Sequence, residues 1–140
     1  MKLPDVNVLL YAVNSASPQH AVAKQALREA FEQGEVGLPW AVLLGFLRLS
    51  TRTGILSRPL PVEQGLLVLH SWLDHPAAVA LAPSDRHAAI LGRLLIGAGQ
   101  GGPLVSDAHL AALAIEHNAE LLSFDRDFAR FAGLRWTCLA

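Results

Sequence analysis

The chain has 140 residues, 52% of them apolar and only 16% charged, which excludes intrinsic disorder and suffices for a sizeable core in one domain spanning 1–140. No apolar run nears the ~18 residues of a membrane span, and Asp5 and Asn7 break the N-terminal apolar patch where a signal peptide would be continuous. With 11 basic and 12 acidic side chains the net charge of −1 marks neither a polybasic binder nor an acidic tail, and the lone Cys138 permits no internal disulfide, so a reducing cytoplasm is expected.

In chain order, "LPDVNVLLYAV" (3–13) reads as a β-strand that is interrupted by one carboxylate and passes into a short helix. Ser17-Pro18 starts the next helix, with serine as cap and proline in the first turn. Ala23, Ala26, Leu27, Ala30 and Phe31 then keep helical spacing until Gly34 stops it. "EVGLP" (35–39) is a short strand, Trp40 to about Thr53 a helix, and Gly54, Pro59 and Pro61 mark a loop. A helix near Val62–Leu73 follows, then a strand "AVALA" (78–82), then a helix capped by Ser84 or Asp85 and running to about Ile96. After a glycine-rich loop, a helix runs from Asp107 to His117 and stops at Asn118. "AELLSF" (119–124) is a strand, "DRDFARF" a turn with a short helical piece, and "LRWTCL" the last strand. Strands separated by crossovers this long predict a three-layer α/β/α sandwich around a mainly parallel sheet. In such folds the site lies beyond the carboxyl ends of the strands, where strand order reverses.

Gly97, Gly99 and Gly102 match G-x-G-x-x-G, the fingerprint of a dinucleotide-binding turn. That turn must follow a strand and open a helix. Here the glycines follow the helical pattern "HAAILGRLLIGAG", and the first strand-to-helix junction, "DVNVLLYA", contains no glycine. The loop reads as a connection that leads to Asp107.

The acidic residues carry more information. Asp5 sits at the first strand-to-helix junction, Asp125 directly after "ELLSF", and Asp107 at the start of "DAHLAALAIEH". In a parallel sheet all three project toward one edge. Singly, each also has a cap or turn explanation, although a carboxylate inside "LPDVNVLL" is costly to bury without a partner. Jointly they repel unless a cation neutralises them. Hard oxygen donors without a cysteine cluster suit Mg²⁺ or Mn²⁺ rather than zinc, the arrangement used for metal-assisted phosphodiester hydrolysis. Lys2 and Lys24 are the only lysines, so nine of the 11 basic side chains are arginine, the side chain best shaped to grip phosphate.

The pieces "LPDVNVLLYAVN", "SPQHAVA", "LPWAVLLGFLRLSTR", "GGPLVSDAHLAALAIEHNAELLSFDRDFARF" and "GLRW" resemble the PIN-domain ribonucleases, and within them the VapC-type toxins of bacterial toxin–antitoxin pairs. The resemblance covers nearly the whole chain and is most specific from Gly101 to Phe131. It implies a central five-stranded parallel sheet, Mg²⁺- or Mn²⁺-dependent endoribonuclease activity, a small VapB-type antitoxin as inhibitor, and commonly a homodimer. The family's metal-binding and catalytic acids carry over onto Asp5, Asp107 and Asp125, and its polar neighbour of the first onto Asn7. One position departs: Gly45 stands where many relatives carry a glutamate, on a helical face with Ala41, Arg48 and Arg52. Three carboxylates, with Asp127 or water filling in, is the favoured reading. The alternatives are that Arg48 and Arg52 bind substrate phosphate or pair with a carboxylate, or that activity is weakened.

Other residues offer less. His109 lies near Asp107 in sequence, His117 two turns further along and facing away, and His20, His70, His75 and His87 are scattered without zinc-site spacing. Ser106 reads as a helix cap or a hydroxyl reaching the site. Trp40, Trp72 and Trp136 fall in apolar patterns expected in the core or an interface. A serine nucleophile elbow is absent, and strand one offers D-x-N rather than the D-x-D of a small phosphatase. The leading expectation is a metal-dependent endoribonuclease toxin. The alternative is a PIN-like module that holds RNA or a partner without turnover.

Overall fold

The computed structural model describes residues 1–140 and places the strand β1 (Lys2–Pro4) at the centre of a five-stranded sheet, with Leu3 and Pro4 fully shielded from solvent. On one side β1 pairs with β2 (Val36–Gly37), which pairs with β3 (Ala78–Val79). On the other it pairs with β4 (Glu120–Ser123), which pairs with β5 (Trp136–Cys138). All four pairings are parallel, and the order is β3-β2-β1-β4-β5. The chain moves outward from β1 to β3 and then crosses back to β4, so strand order reverses between β1 and β4. A crevice opens beyond the carboxyl ends of strands at such a point.

The helices are α1 (Val6–Val13), α2 (His20–Gln33), α3 (Trp40–Thr51), α4 (Val62–Leu73), α5 (His87–Ala98) and α6 (Leu104–Glu116). Successive side chains of a strand point to opposite faces, and β4 shows it. Leu121 belongs to the core cluster that holds Leu3, Leu113 and Phe128, whereas Leu122 belongs to the one that holds Val8, Val36 and Leu43. In α6, Ala108 and the run Leu110–Ala114 are all buried. These residues set α6 inside the protein, and its alanines keep it slim enough to lie close to its neighbours.

Pro4 explains how the centre of the sheet ends. It has no N–H to give to the ladder, so the pairing with β4 closes on the next residue, whose N–H donates to the Leu122 carbonyl at 2.9 Å. That residue is Asp5, in extended conformation and capping α1.

Several boundaries differ from the sequence expectation. α6 starts at Leu104, three residues before Asp107, because Pro103 already has helical angles and Leu104 N–H bonds Gly101 O. Ser106 is therefore inside the first turn and caps nothing. α2 starts at His20: Ser17 Oγ accepts from Gln19 N–H and shapes a turn ahead of the helix. β3 covers only Ala78–Val79 of the expected 78–82, and α3 ends at Thr51, leaving Arg52 extended beyond it. Gly97 lies within α5 and Gly99 is the left-handed residue that ends it (φ +70°), so these glycines stop a helix. Trp72 packs edge-on against Phe46 and Trp136 lies near Phe128, as their patterns suggest, but Trp40 is half exposed.

A leucine at Ala111 overfills the slim face of α6 and is expected to cost about 1–3 kcal/mol in urea unfolding. Leu67→Ala, on the exposed face of α4, is expected to stay within ~0.5 kcal/mol of the parent.

Candidate active site

The site begins at Asp5, only 8% exposed. Its Oδ1 accepts the Val6 N–H at 2.7 Å, the capping bond of α1. Its Oδ2 accepts the Ser123 hydroxyl at 2.7 Å and the Asn7 amide at 3.3 Å. The Ser123 Oγ in turn accepts the Asp125 N–H at 3.0 Å, and Asn7 Oδ1 accepts the Phe124 N–H at 3.3 Å. These bonds tie the carboxyl ends of β1 and β4 together at the point of strand reversal. Burial pushes the Asp5 carboxyl above its ordinary value; the Ser123 and Val6 bonds oppose that, and the charge of Asp125 adds to it.

Asp125 follows β4 and caps a 3₁₀ turn (Arg126–Arg130), its Oδ1 accepting the Asp127 N–H at 2.9 Å. Asp107 comes from α6. That helix runs back across the sheet before β4, so its first turn lies at the edge where the strands end. Asp107 is half-buried, and its carboxyl is held up at about 6 from an ordinary 3.8. Loss of hydration contributes most, followed by the charges of Asp5, Asp125 and Asp127. No ion pair involves Asp5, Asp107 or Asp125; Asp127 instead leans toward Arg130 at 3.9 Å.

A cavity of about 460 Å³ opens on this edge, and Asp5, Asp107, Ser106, His109, Gly45 and Arg48 are among its lining residues. Asp125 stands outside that lining, and none of the three acids has a cationic partner. Their chemistry, hard oxygen on an open rim, fits a magnesium-like ion that keeps much of its water. As they stand they do not close into a ligand cage, since no group of three or more acidic, histidine or cysteine side chains does so anywhere in the chain.

Of the three readings of the Gly45 face, the structure speaks to geometry. Arg48 lines the cavity, exposed and without an ion-pair partner, while Arg52 lies past the helix end and outside the lining. A Cβ on Gly45 would meet Val6 Cγ2 at 2.8 Å, so the glycine lets α3 approach α1 closely. Arg126 is exposed on the 3₁₀ turn. Sequence reasoning overlooked Ser123, whose only signal is a small hydroxyl residue at the end of a strand that runs into an acid. It also treated His87 as one of the scattered histidines. Its Nε2 is 2.9 Å from His109 Nδ1, and its Nδ1 is 3.0 Å from Glu116 Oε2. His117 turns away and bonds Ala82 O, as its spacing suggests.

The family described as PIN domain matches residues 2–134. The chain is 49% identical to ribonuclease VapC37 of Mycobacterium tuberculosis over 97% of its own length and 95% of the relative's. It is 40% identical to ribonuclease VapC33 of the same species over 98% and 96%. Among solved structures, M. tuberculosis VapC20, a sarcin-ricin loop cleaving toxin, superposes with a TM-score of 0.69 at 16% identity, covering 96% of this chain and 99% of that one. VapBC2 of Rickettsia felis, bound to a promoter DNA fragment, gives 0.70 at 20% identity, with 98% and 97% covered. At such identities the two structures speak for the fold.

In the metal-free protein, Asp107 favours folding below its unfolded value near 3.8, and that contribution is lost as the pH rises through about 6. Asp107→Asn is therefore expected to raise the melting temperature above pH 6 and to lose the advantage near pH 4. The gain is roughly 1 kcal/mol once solvent screening at a half-exposed site is allowed for. At Gly45, an alanine gains about 1 kcal/mol of helix propensity and meets Val6. Gly45→Ala is thus expected to be more favourable by at least ~1 kcal/mol in a Val6→Ala background than in the parent; additive melting shifts would contradict the contact.

Proposed function

The chain belongs to the PIN domain family, and from that membership we propose that it is an endoribonuclease, the toxin of a toxin–antitoxin pair, acting at the carboxylate edge between β1 and β4. The observation that carries this reading is the uncompensated set Asp5, Asp107 and Asp125 at the point of strand reversal, facing the same edge as an unpaired arginine. Relatives named ribonucleases, matched over nearly their whole length, support it.

Asp5, Asp107 and Asp125 are the residues that would hold a divalent ion, Mg²⁺ or Mn²⁺. A divalent ion held by these three carboxylates would offset their mutual repulsion and supply the Lewis-acid chemistry of phosphodiester hydrolysis. The residues of the chain do the rest. Val6 N–H and Ser123 Oγ fix the Asp5 carboxylate so that little reorganisation is left to the reaction. Arg48 presents a planar guanidinium suited to two oxygens of a phosphate. Val6, Val42, Leu91 and Leu110 form an apolar part of the cavity lining. Hydrolysis by water leaves a 5′-phosphate and a 3′-hydroxyl.

In this reading the chain works as one cytoplasmic domain over residues 1–140, commonly paired with a second copy and inhibited by a VapB-type antitoxin. α3 and α4 leave Trp40, Leu44, Val62 and Leu67 half or more exposed, an apolar surface of the kind that protein partners cover. No helix is long and apolar enough to cross a membrane.

Incubation of total RNA with the protein and Mn²⁺ is expected to yield fragments with 5′-phosphate ends, and EDTA is expected to stop it. Asp107→Asn and Asp5→Asn are each expected to lose more than the ~100-fold that follows loss of a supporting partner. Equal cleavage by both folded variants sinks the assignment of these acids. RNA retention without cleavage in any divalent metal marks the chain as a binding module instead.

A further inference from the structure

Behind the cavity, three side chains from α5 and α6 form a line. Glu116, at the end of α6, has a side chain with no exposed surface. Its Oε1 accepts the Ser84 backbone N–H at 3.0 Å and its Oε2 faces His87 Nδ1 at 3.0 Å. His87 Nε2 faces His109 Nδ1 at 2.9 Å, with the two rings edge to face. The remaining nitrogen, His109 Nε2, has no partner in the protein. Every fully buried side-chain nitrogen and oxygen of the chain has one, so this atom reaches open space, and His109 lines the cavity that Asp5 and Asp107 line.

The direction of the protons along this line follows from its buried end. An ionised carboxylate only accepts hydrogen bonds, so with His87 neutral its proton sits on Nδ1 and its Nε2 is an acceptor. His109 Nδ1 must then be the donor, which leaves His109 Nε2 with a bare lone pair. Of the groups in an RNA backbone, phosphate and ring oxygens only accept, and the ribose 2′-hydroxyl alone donates.

We propose that His109 Nε2 accepts a hydrogen bond from a ribose 2′-hydroxyl beside the scissile phosphate, and that Glu116 and His87 are positioning residues that set which nitrogen of His109 is bare. The inference rests on the ribonuclease reading above and deepens it: the site distinguishes RNA from DNA through one buried glutamate acting across two rings.

Glu116→Gln tests the direction of the line without altering its size. The Ser84 N–H can only donate, so it holds the amide oxygen and turns the amide nitrogen toward His87. Both rings then reverse, and His109 Nε2 becomes a donor. In ¹⁵N-labelled protein at about pH 8, above the ordinary histidine value of about 6.5, ring ¹H–¹⁵N correlations are expected to show His109 protonated on Nδ1 in the parent and on Nε2 in Glu116→Gln. The same tautomer in both overturns the positioning role, and this readout needs no activity.

The ribose contact is read with an oligoribonucleotide spanning a site that the protein cuts in bacterial total RNA. It is compared with copies bearing one 2′-deoxy sugar on either side of the cut bond. The parent is expected to lose about 2- to 12-fold in kcat/KM on one of these, the worth of a hydrogen bond. His109→Ala and Glu116→Gln are expected to show a ribose-to-deoxy ratio near one. Indifference of the parent to both deoxy positions, or an unchanged preference in both variants, overturns the contact. A parent that cuts no RNA in any divalent metal overturns the ribonuclease reading and the ribose contact together, while the ring measurement still decides the role of Glu116.

Discussion

The hydrogen bond from Ser123 Oγ to the buried Asp5 Oδ2 holds the centre of this protein in its working form. A carboxylate almost closed off from water at the end of the central strand costs folding energy unless its oxygens are satisfied. Val6 N–H, the Ser123 hydroxyl and the Asn7 amide satisfy them. Because Ser123 belongs to β4 and also accepts the Asp125 N–H, the bond that stabilises Asp5 fixes the start of the 3₁₀ turn and the second acid as well. Sheet register and site geometry are thus one set of bonds.

What those bonds do not satisfy is charge. Asp107 is brought to the same edge by the antiparallel run of α6, where lost hydration and then the charges of Asp5, Asp125 and Asp127 raise its affinity for protons and no arginine pairs with it. The fold tolerates this tension because its apolar core, from Leu3 and Leu121 out to Phe46 and Phe128, is independent of it. Gly45 is part of the same compromise. The missing side chain lets α3 close on α1, and Arg48 lines the same cavity.

A second polar element lies on the far side of Asp107. Glu116, His87 and Ser84 join the start of α5 to the end of α6 with fully satisfied bonds, and Arg86 adds one to the Glu116 carbonyl at 3.0 Å. A buried carboxylate paired on both oxygens specifies one arrangement of its partners. Its outermost ring stands at the same cavity as the acids, so the junction that holds two helices together also orients an atom toward the substrate.

Much of this was legible in the sequence. The parallel α/β/α plan, the helix at Val62–Leu73 and the placement of Asp5 and Asp125 at strand ends follow from local spacing and turn chemistry, which act between near neighbours and leave a periodic trace. Tertiary structure alone decided the rest. Strand order placed β4 beside β1, which brought Ser123 to Asp5 across 118 positions and made a hydroxyl with no motif of its own the keystone of the site. The start of α6 moved back to Leu104 because Pro103 had a turn to close, and Ser106 lost its role as a cap. His87 and His109, 22 positions apart, became partners only when α5 packed on α6. A hydrogen bond across such a distance depends on where two elements meet, and the residues on either side of it carry no local record of that meeting.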